Sequence, residues 1–244
     1  CESDNNNTNN KGLRNEKILL DRSDLILCVS NTYKAIISEN FPQYHAKLDV
    51  LMNGIDWNTL ESISQEQFKN ENQIILMGGG RQTKRNLYVC QAIQNINQKY
   101  HTNYKVTVYG YFLNYDDSQL IAKIPCVTFH EVIPHQEILK QLKISRLFIQ
   151  NSDLESFSLG VVEALCCGCD ILISKNVGAK DIIQNIQSDD IINNPTDIDE
   201  LEDKILKVLQ NSNNQRLLSS IDRDTTSTEF AANRLLKFAN QLLK

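Results

Sequence analysis

At 244 residues, with 41% hydrophobic and 23% charged side chains, the chain has enough apolar material to pack a core, which excludes fibrous and intrinsically disordered classes. Its formal net charge of -5 excludes a nucleic-acid backbone as the main ligand, because such binding draws on clustered Lys and Arg; a small anion held by two or three local cations stays open. The cysteines Cys1, Cys28, Cys90, Cys126, Cys166, Cys167 and Cys169 are odd in number and several sit in apolar segments, so free buried thiols in a reducing, cytoplasmic compartment are expected.

Residues 1–10 are Asn-rich, lack apolar periodicity and read as an irregular leader. The chain opens on Cys1 rather than Met, so it is expected to be cut from a longer protein. Leu13, Ile18, Leu19 and Leu20 suggest a short helix. Leu25 to Val29 is a continuous apolar run of the kind found in buried parallel strands, and Ser30-Asn31 caps the helix after it. Leu48 to Leu51 is a second short strand, ended by the turn pair Asn53-Gly54. The polar, weakly patterned stretch 56–73 is expected to link residues 11–55 to a domain spanning 74–225.

From Ile74 onward, strand-like runs at 74–78, 106–109, 126–129, 147–150, 171–174 and 191–193 alternate with helical patterns near 86–99, 135–143, 159–167 and 178–185. That βαβα order predicts an α/β fold, a Rossmann-like parallel sheet flanked by helices. Apolar positions at helical spacing between Leu201 and Leu242 predict three further helices, the last over 226–244.

In such a sheet the ligand lies beyond the carboxyl ends of the strands. After the first strand of the domain stands GGGRQTKRN, Gly78 to Asn86. Consecutive glycines admit a ligand to the backbone, and cations leading into a helix can clamp a diphosphate. A flexible turn with a solvated charge cluster accounts equally well for the same residues. After Gln150 comes Asn151 to Gly160, then the helical Val161 to Leu165. Glu155 is expected in the loop, where a carboxylate can accept from sugar hydroxyls; Glu163 is expected inside the helix, where it can accept both hydroxyls of a ribose. Each such bond contributes on the order of 1.5–3 kcal/mol. Val161, Val162, Ala164 and Leu165 leave that helix apolar almost all round, so a charge at Glu163 needs a partner. The Cys166-Cys167-Gly168-Cys169 run has no second pair or His tract at zinc spacing, and small-residue packing is the expectation rather than a metal. His130 and His135 are read as packing or capping residues, and Trp57 and Tyr109 to Tyr115 as core or hinge in preference to an acceptor groove.

Six passages in order resemble the GT-B retaining glycosyltransferases of the glycogen-synthase-like family four. They are DLILCVSNTYKAII, LMNGID, GGGRQTKRN, VTFHEVIPHQEIL, ESFSLGVVEALCCGCDILIS with its E-x7-E pair Glu155 and Glu163, and KNVGAKDII. The resemblance implies the C-terminal, donor-binding half of a GT-B fold with the tail of the N-terminal acceptor domain. It implies hexosyl transfer with retention from a UDP- or GDP-sugar to a glycan, lipid or protein acceptor, as in polysaccharide biosynthesis, without metal or other cofactor. Carried onto this chain, Arg81 and Lys84 neutralise the donor diphosphate, Glu155 contacts the transferred sugar and Glu163 holds the ribose. Gly80 belongs to the diphosphate loop. Ser156, Phe157, Ser158, Leu159 and Gly160 meet sugar and phosphate, and the loop Glu131-Val132-Ile133 meets the base through its main chain.

The sequence also departs from the family pattern. Arg81 and Lys84 are close together, so Arg85 is an alternative second cation; Ser158 and Asp170 stand where Gly and Pro are common; Lys180-Asp181 alters the usual acidic position. The acceptor pocket, and any peripheral membrane association, would belong to the absent N-terminal half. The chain alone is therefore expected to bind nucleotide sugar weakly and to transfer poorly. Two rival readings are a non-catalytic nucleotide-sugar-binding subunit of a split transferase and a sugar-nucleotide epimerase of GT-B fold; the context of the E-x7-E pair disfavours the second.

Overall fold

The computed structural model describes residues 17–62, 69–112 and 116–243. The leader expected at 1–10 lies outside them. A small first unit begins with helix α1 (17–22), strand β1 (Ile26–Cys28), helix α2 (Asn31–Asn40) and strand β2 (Leu48–Val50). β1 and β2 pair in parallel, and Cys28, Ile37 and Leu48 form their apolar cluster. Ser30 starts α2 as expected, accepting from the Tyr33 amide at 3.0 Å.

The polar stretch 56–73 carries more structure than its composition suggests. Asp56 caps helix α3 (Trp57–Glu61), which buries Trp57 and Leu60, and strand β3 (Asn70–Met77) begins within the stretch. Five residues are too few to show a helical period, so α3 was invisible to pattern reading.

The main domain then alternates helix α4 (Asn86–Tyr100), strand β4 (Lys105–Tyr109), helix α5 (Asp116–Ala122), strand β5 (Val127–His130), helix α6 (His135–Ile144), strand β6 (Ser145–Gln150), helix α7 (Leu159–Cys166), strand β7 (Asp170–Ser174) and strand β8 (Ile191–Ile192). The helix expected near 178–185 is a short 3-10 turn, Gly178–Ile182. Four helices close the chain where three were expected: α8 (Ile198–Gln210), α9 (Asn214–Leu218), α10 (Arg223–Thr226) and α11 (Thr228–Leu242).

All six strands of the main sheet are parallel, in the order β5-β4-β3-β6-β7-β8. Side chains alternate across a strand, so each strand feeds two cores. Ile74 and Leu76 of β3 join Val106, Val108, Leu147 and Ile149 under α4, α5 and α8. Ile75 joins Phe148, Ile171 and Ile173 under α6, α7 and α9. This is the doubly wound, Rossmann-like arrangement expected of the sequence.

α7 is apolar because it is covered: Val161, Val162, Ala164, Leu165 and Cys166 are all buried. It ends at Gly168, whose φ of +81° lets the Cys169 amide turn back to the Ala164 carbonyl at 2.9 Å. The chain finally returns to the first unit. Ile55 donates to the Thr226 carbonyl at 2.9 Å and accepts from the Thr228 amide at 3.2 Å, which brings α11 against Gly54.

Candidate functional site at the strand-order reversal

The strand order reverses between β3 and β6, so the connections leaving these two neighbours run to opposite sides and open a crevice beyond their carboxyl ends. The two loops at that crevice are 78–85 and 151–158. Both are tightly tied down. The buried Asn86 amide donates to the Met77 and Gly79 carbonyls at 3.1 and 2.8 Å, holding the glycine turn. Gly80 lies so close to α5 that a Cβ there would sit 2.1 Å from Ser118 Oγ. The Asp153 amide donates to the Thr83 carbonyl at 2.9 Å, stitching one loop to the other.

Across that stitch Lys84 Nζ makes a close ion pair with Glu155. Arg85, the alternative cation, is engaged elsewhere: its Nε donates to both carboxylate oxygens of Asp153 at 2.8 and 2.9 Å, and that bond raises the guanidinium pKa further. Lys84 is thus the cation that meets the expected sugar carboxylate. Arg81 is exposed at the lip of the glycine turn, its Nε donating to the Gly78 carbonyl at 3.3 Å.

The loop that carries Glu155 is fixed by the turn after β7. Glu155 donates its amide to Asn176 and accepts from Gly178 at 2.9 Å, and Ala179 donates to the Phe157 carbonyl at 2.7 Å. Phe157 is buried in the core and anchors the loop. Ser156 accepts at its carbonyl from Ser30 Oγ at 2.6 Å, a contact from the first unit. Ser158 then precedes α7 with φ +79°, a left-handed conformation that L side chains disfavour. The amides of Leu159 and Gly160, first in α7, have no intrahelical acceptor and carry the positive end of the helix dipole.

Glu163 lies one turn further along α7. Its partner is His135, the first residue of α6, whose Nε2 lies 2.9 Å from Glu163 Oε1. The partner that an apolar helix demanded is therefore the histidine read from the sequence as a packing or capping residue. Val132 is exposed in the loop that joins β5 to α6, three residues before His135. The contacts thus join Lys84, Glu155 and the start of α7 at one crevice, and Glu163 to the loop after β5; among the described residues Arg81 bonds its own turn. Asn86 and Asp153, the two residues that tie the loops, escaped sequence reading.

One departure lies elsewhere, and two aromatic residues are core as expected. Asp170, standing where Pro is common, lies at the amino end of β7, away from the crevice. It is fully buried, pairs with Arg146 and accepts from Ser212 Oγ, Asn213 N and Asn214 N at 2.7, 2.8 and 2.9 Å. Its role is to join β7 to the start of α9. Trp57 is core, donating from Nε1 to Thr226 Oγ1 at 3.1 Å, and Tyr109 is buried with its ring stacked on His130. Tyr115 lies outside the described residues, among which no cluster of His, Cys, Asp and Glu is arranged to hold a metal.

Residues 59–224, the greater part of the chain and all of this crevice, match the family model described as glycosyl transferases group 1. The chain belongs to that family. Solved structures similar to this glycosyltransferase chain include sucrose-phosphate synthase from Thermosynechococcus elongatus, at 17% identity and TM-score 0.71 over 100% of this chain and 64% of that one. HepE from Anabaena, in complex with UDP-glucose, matches at 17% identity and TM-score 0.67 over 95% of this chain and 67% of that one. A glycosyltransferase from Rickettsia africae ESF-5 matches at 17% identity and TM-score 0.67 over 99% and 69%. At such identities the likeness establishes the fold, the C-terminal Rossmann-like domain of a GT-B glycosyltransferase. No curated protein sequence matches significantly. The glycosyltransferase chain spans 64 to 69% of the length of these three structures.

Proposed function

We propose that this chain supplies the donor site of a retaining hexosyltransferase that uses a nucleotide-diphosphate sugar. The observation that carries the reading is the contact of Lys84 with Glu155 across the strand-order reversal, beside the open amides of α7. A diphosphate bridging that point meets Lys84, Arg81 and the α7 dipole, which together stabilise the negative charge of the departing nucleotide without a metal ion. Glu155 accepts from hydroxyls of the transferred sugar, and Glu163 accepts from the ribose. Gly80, Ser156, Phe157, Ser158, Leu159 and Gly160 border the sugar and phosphates through their main chain, while Val132 faces the base.

The donor is a UDP- or GDP-sugar; the complex of HepE with UDP-glucose supports trying the uridine form first. The acceptor, a glycan, lipid or protein, binds through groups outside this chain, as does any peripheral attachment to a membrane, and the work is done in the cytoplasm. Thermal unfolding in the presence of UDP-glucose and, separately, GDP-mannose tests the reading. A donor present at 100 times its dissociation constant stabilises by ~2.7 kcal/mol, a rise of roughly 5–10 °C for a domain of this size. Absence of any rise with either sugar nucleotide at millimolar concentration would sink the proposal. Sugar transfer to an acceptor by this chain alone would show that acceptor groups lie inside it.

A further inference from the structure

Glu163 is a charged residue on a helix whose other faces are buried, and among the described residues its carboxylate is bonded to one group only, the His135 imidazole. A carboxylate offers about four lone-pair positions on two oxygens. His135 takes one on Oε1, and among the described residues Oε2 has no donor. A carboxylate half held and half open is a group prepared for a ligand that donates.

The geometry points to His135 as a positioning residue that orients Glu163 toward the ribose hydroxyls of the donor nucleotide. This inference rests on the donor-site reading above. His135 does not depend on a mobile loop for its place: Pro134 fixes the backbone before it, and α6 is packed on α7 through Ile138 and Leu139. The imidazole donates from Nε2 both as the Nε2–H tautomer and as imidazolium, so the bond to Oε1 persists in either form. A glutamate on a helix otherwise samples several rotamers, and freezing them on binding weakens the complex. The histidine removes part of that freedom before the nucleotide arrives. It also links the loop that carries Val132 to the ribose-binding position, so the groups for base and sugar share one support.

The test separates a ribose-directed role from simple support of α6. Calorimetric titrations of the chain with UDP and with 2′-deoxy-UDP, or the guanosine pair if GDP is the nucleotide bound, compare wild type, His135→Ala, His135→Gln and Glu163→Gln. His135→Ala is expected to weaken UDP by about two- to tenfold, the loss of one hydrogen bond's orienting effect, and to change 2′-deoxy-UDP much less. His135→Gln, whose amide can donate to the same oxygen, should recover most of the difference. In the Glu163→Gln background, removing His135 should have no further effect on the preference for ribose. Equal weakening of the two nucleotides by His135→Ala, or a loss that persists unchanged in the Glu163→Gln background, overturns the inference while leaving the donor site standing. Failure of wild type to bind either UDP or GDP overturns the donor-site reading itself and this inference with it.

Discussion

Lys84 and Glu155 touch each other, so a diphosphate that approaches the cation competes with a carboxylate already there. If the proposed donor site holds, Glu155→Gln should leave the affinity for free UDP unchanged or slightly higher, while removing any preference for UDP-glucose over UDP. Lys84→Ala should weaken both ligands by roughly tenfold or more, the loss of one charge-assisted bond. Calorimetry with the two ligands distinguishes the variants, and an equal loss of UDP and UDP-glucose affinity in Glu155→Gln would contradict the assigned role. Ser158 makes a second residue-scale case. Its backbone is left-handed, and among the described residues its hydroxyl makes a 3.4 Å contact with Gln150. Ser158→Gly should raise stability by about 0.5–1 kcal/mol, the steric relief less the added chain entropy of glycine, read as a melting temperature some 1–4 °C higher. The carboxylates and cations were legible one by one, since residue type and loop position suggest their chemistry. Their pairings were not, because Lys84 to Glu155 spans 71 positions and His135 to Glu163 spans 28.

α7 shows how much a single element settles. Its apolar run was readable in advance, because covered faces need apolar side chains; that Gly168 ends it with a positive φ is a finding of the structure. The cysteines at its end follow from the same burial. Burial pushes the thiols of Cys166 and Cys169 up to about 12 and that of Cys167 to about 11, against an ordinary value of 9.0. These thiols are protonated and inert in the folded chain at neutral pH. The sign of the linkage follows. Above pH 9 the unfolded chain releases these protons while the folded chain retains them, so stability is full below about pH 9 and falls as pH rises toward 11 and 12. Melting temperatures taken between pH 8 and 11 should drop, and replacing Cys166 and Cys167 together with Ala should flatten that drop even if the protein is less stable throughout. An unchanged slope would remove the thiols as its cause. α3 is the opposite case, a five-residue helix whose two buried side chains, Trp57 and Leu60, meet the core only once the domain is assembled.

At the scale of the molecule, the first unit is latched to the 3-10 turn after β7, Gly178–Ile182, which itself holds the loop that carries Glu155. Asp181 accepts from the Thr32 amide at 2.7 Å and from Thr32 Oγ1 at 2.8 Å, and the half-buried Lys180, its pKa lowered by that burial, donates to the same hydroxyl. Asp181 thus serves as a second cap for α2, where a negative charge at the amino end is favourable. Asp181→Ala should cost about 1 kcal/mol and lower the melting temperature by roughly 2–4 °C. It should also speed proteolysis within residues 41–54, since the first unit would then be held to the main domain by the bond of Ser30 to Ser156 and the strand-like bonds of Ile55 to Thr226 and Thr228. Unchanged cleavage there would show that the latch bears no load. The altered acidic position that looked like a departure in the sequence is therefore a joint between units.

The sequence alone determined the alternation of strands and helices, the apolar character of α7, and the residue types of the two loops that meet at the crevice. All of these depend on periods of two to four residues or on the properties of one side chain. Only the tertiary structure decided the reversal of strand order between β3 and β6, the pairing of Lys84 with Glu155, the His135 support for Glu163 and the latch of Asp181 to Thr32. Those depend on which distant segments share a sheet edge or a helix end, and no local pattern encodes a meeting of residues 149 positions apart.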